Sequence, residues 1–145
     1  MIPHKERGFE LISLARTAEE TIPFGPLIMV VLSMLACTVV LVLMGIYGAQ
    51  RGIRPNDFFG IRTRFTRSSD SAWYAVHEAS ARWSILAGIA FLPAAVLTPF
   101  LSTPNAQVIA ILVPTTVGTA LLVVGSWRGH RVARKRLAGE ASGRS

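Results

Sequence analysis

The side chains able to do chemistry gather in one polar stretch, from Ile53 to His77. His77 is its natural general base, yet the stretch offers no recognisable nucleophile for it to activate. A metal site needs His, Cys or carboxylate ligands at matched spacing. His77 has only Glu78 beside it, and neighbouring helical residues point apart. The sequence therefore predicts no catalytic residue, no metal and no cofactor. What remains is a fixed polar knot, in which Asn56, Arg62, Trp73 and His77 cap helix ends and bond loop carbonyls. A partner-binding role can be built on such a knot.

The local chain supplies reasons for a knot. Pro55 fixes its own backbone and biases Arg54 toward extended geometry, so any preceding helix has ended. Asn56 and Asp57 close turns through their own side chains. Gly60 tolerates a left-handed or closely approached backbone. Phe58 and Phe59 are anchoring material for a loop on a membrane surface, while Arg62 and Thr63 bring a forked donor and a hydroxyl to headgroup level. Ser68-Ser69-Asp70 then reads as a helix start, with Asp70 suited to the positive end of the helix dipole. On that helix Trp73 and His77 share one face, continued by Ala81 and Ser84, and Tyr74 and Glu78 share the next.

Apolar segments must position this stretch. Charged residues are 16% of the 145-residue chain, against about a quarter in soluble domains. They are unevenly spread: the 30 residues from Thr21 to Gln50 and the 45 from Trp83 to Trp127 carry none. A membrane helix needs about 20 apolar residues. The pattern predicts an all-α integral membrane protein with three spans, about 27–47, 84–101 and 108–127. Residues 1–26 form a polar lead-in, with a short amphipathic turn at Phe9 to Ala15 or no fixed structure. Residues 128–145 form a basic cytoplasmic tail, and 27–127 the membrane domain. Pro93, Pro99 and Pro114 interrupt the second and third spans, and Ser102 to Asn105 is a tight uncharged turn between them. Small residues recur at contact spacing, at Ser84 and Gly88, Ala90 and Ala94, and Gly118, Gly125 and Gly129.

No ionisable side chain lies within the three cores, which argues against a pump or an ion-coupled transporter. A lone Cys37 leaves no internal disulfide. Net charge is +7, and 12 of the 15 basic residues lie in the central loop and the tail. The positive-inside bias then places those two segments in the cytoplasm and the N-terminus outside. The tail cluster Arg128 to Arg136 is suited to anionic lipid. It lacks the aromatic interleaving or folded module of a nucleic-acid site, so membrane lipids are the expected partners and nucleic acid is not.

The run Pro55-Asn56 with Gly60-Ile61-Arg62-Thr63, then Trp73 and His77, resembles the SdpI family of bacterial membrane proteins. The likeness covers Ile53 to Gly88 most closely and Leu27 to Trp127 in architecture, with Arg64 where relatives often carry a residue such as proline. It implies a multi-pass protein of the bacterial inner membrane, of immunity or signalling type, that protects against or senses a secreted antimicrobial peptide. The implied action is binding rather than catalysis, to a peptide toxin or to a membrane or cytoplasmic protein. The implied binding residues are Asn56, Gly60, Arg62, Thr63, Trp73 and His77. The alternative is a structural or accessory subunit of a membrane complex with no ligand of its own.

Overall fold

Two prolines and a glycine open the first helix, and they sit where a helix tolerates them. In a computed structural model, which describes residues 21–143, helix α1 spans Phe24–Ala49 after Pro23, with Pro26 in its first turn. The first-turn N–H groups have no intrahelical partner, so Pro26 costs the helix nothing there. The helix closes on a double bond: Gly52 N–H donates to Tyr47 O at 2.8 Å and Arg51 N–H to Gly48 O at 3.3 Å. This closure needs a left-handed residue, which here is Arg51 with φ 55° rather than the usual glycine.

Helix α2 spans Asp70–Leu97 and runs on through a 3-10 turn at Thr98–Phe100. Ser69 is its cap, extended in backbone and accepting from Ala72 N–H at 3.2 Å. The polar turns that carry Trp73 and His77 are continuous with the apolar turns that follow. Helix α3 spans Pro104–Ser142, with Pro104 at its first position. At about 1.5 Å per residue its 39 residues reach about 58 Å, far beyond a bilayer core of about 30 Å. Its last turns are the basic segment after Trp127, which is helical as far as Ser142 and not only a tail. All three helices are long and apolar enough to cross a membrane, and the described residues contain no strand. The expected turn at Phe9 to Ala15 lies outside the described residues.

Helix α2 is the centre, packing against both α1 and α3. Small residues allow the close approach. A methyl group at Gly88 would meet the Thr38 carbonyl of α1 at 3.0 Å; one at Gly125 would run into Trp83, and one at Gly129 into Ser80. Ser84, Gly88, Ala94, Gly118, Gly125 and Gly129 are buried, and Ala90 half-buried. Lipid tails give no hydrophobic drive between helices, so this fit and the Ser80 bond to Gly125 O at 3.3 Å hold α2 to α3. The chain just before α1 is tied to α3 near the hairpin end, where Gln107 accepts from Ile22 N–H at 2.8 Å and donates to Leu101 O at 3.0 Å.

One hydroxyl in this core is unsatisfied. Thr38 Oγ1 is buried with no hydrogen-bond partner among the described residues. An unmade buried bond costs about 1–3 kcal/mol, whereas an apolar group of the same shape does not. Thr38→Val is therefore expected to raise the melting temperature in detergent, and a lower one would contradict the packing at this site.

Candidate functional site

The polar stretch folds as a loop, residues 50–69, held from inside by side chains of α2 and α3. Its first fastening is Asn56. The Oδ1 atom accepts from Phe58 N–H at 2.9 Å and Phe59 N–H at 2.7 Å, while Nδ2 donates to Arg54 O at 2.8 Å. One amide side chain thus satisfies three backbone groups of a turn that has no ladder to join. The second fastening is Trp73, 1% exposed, whose Nε1–H donates to Ile53 O at 2.9 Å. Its ring lies 4.4 Å from that of His77, centroid to centroid.

His77 is the third. Its Nδ1 stands 2.8 Å from Trp73 O, one helical turn back, and its Nε2 stands 2.8 Å from Ile61 N. Both contacts are satisfied only by the tautomer with the proton on Nδ1, which donates to the carbonyl while Nε2 accepts from the amide. Gly60 makes the approach possible. Its φ of +108° is one that side-chain-bearing residues rarely adopt, and a methyl group there would collide with the His77 ring.

The same device appears on α3. His130 Nδ1 is 2.8 Å from Ser126 O, again one turn back, and its Nε2 is 2.7 Å from Thr63 Oγ1. Thr63 and the buried Thr66 close a small ring, with Thr63 N–H donating to Thr66 Oγ1 at 2.8 Å and Thr66 Oγ1 donating to Thr63 O at 3.1 Å. Two histidines on two helices thus grip the loop two residues apart, at Ile61 and Thr63. Thr63→Val breaks the grip on α3 and strands His130 Nε2. It is expected to cost about 1–3 kcal/mol in unfolding experiments, and Thr63→Ser should recover most of the loss.

Gly60, Thr63, Trp73 and His77 come together in this inner network, Asn56 fastens only its own turn, and Arg62 stands outside both. Arg62 turns away from that network and pairs loosely with Asp57 at 3.6 Å, their side chains 35% and 81% exposed. Phe58, 95% exposed, projects beside them. The outer side of the loop carries a shallow depression of about 390 Å³, bordered by Pro55, Asn56, Asp57, Arg67 and Asp70. Glu78 sits at the edge of α2 and joins it to the loop and to α3, bonding Arg51 at 3.2 Å and Arg136 at 3.4 Å.

Chemically this inner network is closed. Both nitrogens of each histidine are engaged, and no group of three or more His, Cys, Asp or Glu able to hold a metal occurs among the described residues. His130 and Thr66 are network members that the sequence reading did not single out, and neither did it single out Gln107 at the hairpin end. His130 was hidden among the arginines of a segment read only as charge. Gln107 had a faint signal, as the one long polar side chain just inside an uncharged hairpin.

A family model described as the SdpI/YfhL protein family matches residues 52–126, just over half of the chain. The chain belongs to the SdpI/YfhL family. The match takes in the loop from Gly52 onward, all of α2 and the apolar turns of α3. Membership together with three apolar helices makes this SdpI/YfhL member a multi-pass membrane protein, and suggests one of immunity type. His130 lies four residues past the matched segment, so the grip on Thr63 is made from outside it. No curated protein and no solved structure matches the chain.

Proposed function

We propose that this SdpI/YfhL member protects its cell against, or senses, a secreted antimicrobial peptide, and that it does so by binding rather than by catalysis. The observation that carries this reading is the division within the family motif. Inward-facing donors and acceptors are spent on the fold, while Asp57, Phe58 and Arg62 are held out by a rigid loop. A rigid display of one apolar and two charged groups suits recognition, because little ordering entropy is lost when a partner docks.

The reading places the loop in the cytoplasm of a bacterial inner membrane and the N-terminus outside. Its support is charge: the loop and the basic turns of α3 touch, through Thr63 with His130 and Arg134 over the Phe65 ring at 5.0 Å, so most basic residues lie at one end of the molecule. In a chain whose Cys37 is replaced by serine, Ser102→Cys is expected to react with an impermeant thiol label added outside intact cells. Ser142→Cys is expected to react only after lysis, and labelling in the reverse order would invert the topology.

Arg62→Ala tests the function itself. Its only polar contact among the described residues is a loose ion pair with the exposed Asp57, which is worth little to stability. Folded yield in membranes should therefore stay normal while tolerance to a panel of secreted antimicrobial peptides falls. A specific observation favours a second reading, in which the protein is an accessory subunit without a ligand: every motif side chain except Arg62 is satisfied within the chain. On that reading Arg62→Ala leaves tolerance untouched.

A further inference from the structure

A second hollow lies on the other side of the loop, with Thr63 and His130 of the inner network in its wall. It has a volume of about 770 Å³ and sits between α1, α2 and α3 under residues 61–65 of the loop. Its floor is apolar, made by Met44 of α1 with Leu122 and Val123 of α3. Trp83 and Trp127 stand at mid-height, and Arg64, Arg131 and Arg134 stand at the mouth. No aspartate or glutamate lines it.

We propose that this hollow holds one anionic phospholipid, its phosphate among Arg64, Arg131 and Arg134 and its acyl chain along Met44, Leu122 and Val123. Three observations converge. The first is depth. Val123 and Trp127 belong to the last charge-free turns of α3, and the basic run starts at Arg128, so the hollow crosses from hydrocarbon to headgroup level.

The second is uncommitted charge. Among the described residues none of the three mouth arginines pairs with a carboxylate, and Glu78 is already taken by Arg51 and Arg136. The guanidinium carbon of Arg131 lies over the Trp127 ring at 3.9 Å and that of Arg134 over the Phe65 ring at 5.0 Å. Stacking occupies the guanidinium face and leaves its edge, the fork of N–H donors, for phosphate oxygens. His130 also lines the hollow but cannot take that part, since its ring nitrogens are bound to Ser126 and Thr63.

The third is size and polarity. A water fills about 30 Å³, so the space far exceeds a bare phosphate, and its lower walls offer a soluble anion nothing. Val123 is 64% exposed, so the apolar end of the hollow is open to an acyl chain. A peptide carboxylate would satisfy the mouth but leave the apolar floor to be filled by other means.

The site is tested on the full chain in non-ionic detergent by native mass spectrometry, with phosphatidylglycerol or phosphatidylcholine of matched acyl chains. The wild type should retain one phosphatidylglycerol per chain and much less phosphatidylcholine. At about 1 kcal/mol per charge near the surface, Arg131→Gln with Arg134→Gln should weaken retention about thirtyfold. Arg64→Gln alone, in the loop and outside every helix, should weaken it about fivefold, which keeps the test open if the pair folds poorly. Arg67→Gln with Lys135→Gln removes the same charge away from the hollow and should leave retention unchanged. Equal loss in that control pair would mean diffuse attraction and overturn the site. So would equal retention of the two lipids, retention indifferent to the mouth arginines, or displacement of the lipid by sn-glycerol 3-phosphate at equal concentration.

Discussion

Gly60→Ala is expected to remove most of the folded protein from the membrane. Two costs coincide at this position. The backbone holds φ at +108°, and a side chain in the positive-φ region costs about 1–2 kcal/mol even where it has space. Here it has none, because the new methyl group collides with the His77 ring. Moving the ring surrenders its bonds to Ile61 N–H and Trp73 O, and leaving each buried group unpaired costs about 1–3 kcal/mol. Together these reach several kcal/mol, against a total stability of about 5–15 kcal/mol for a typical domain. Membrane yield and the melting temperature of a fluorescent-protein fusion would report the loss, and normal values for both would contradict the geometry.

Trp73→Ala should be nearly as damaging, for a different reason. The indole is 1% exposed and fills the angle between the loop and α2. Truncating a buried tryptophan to alanine costs about 3–5 kcal/mol, and the Ile53 carbonyl loses its donor as well. Trp73→Phe separates the two effects. It keeps most of the volume and loses the N–H, so its cost should be smaller, near the bond alone at about 1–3 kcal/mol. Unfolding midpoints should fall in the order wild type, Trp73→Phe, Trp73→Ala. A phenylalanine variant as unstable as the alanine variant would mean that the bond, not the packing, dominates.

These two positions show what was legible in the sequence. The all-helical membrane architecture followed from two long charge-free runs, because a bilayer admits few other readings of such segments. The start of α2 at Ser69 and the shared face of Trp73 and His77 followed from capping chemistry and helical period. Gly60 was open as either a left-handed or a closely approached residue, and it is both. The grip of His130 on Thr63 was not legible, since it joins residues 67 apart in sequence and depends on how α3 packs. Nor did local pattern show that Arg62 stands apart from Asn56, Trp73 and His77. All four are polar motif residues, and only the path of the chain after Gly60 turns Arg62 outward. The helical course of the basic segment was hidden for a related reason: its charge dominates its composition, while its helix continues from the apolar turns before it.

The central claim is that the family motif is a clamp closed by two histidines, which frees its outer groups for recognition. Its most direct test is the protonation state of the ring nitrogens, read from nitrogen-15 spectra of the full chain in nanodiscs at neutral pH. Signals can be assigned with His4→Gln and His130→Gln variants. The clamp requires His77 to carry its proton on Nδ1, with Nε2 bare and accepting from Ile61, and His130 to match it toward Thr63. A proton on Nε2 of His77 would contradict it, because that nitrogen would then face an amide N–H with no lone pair to offer.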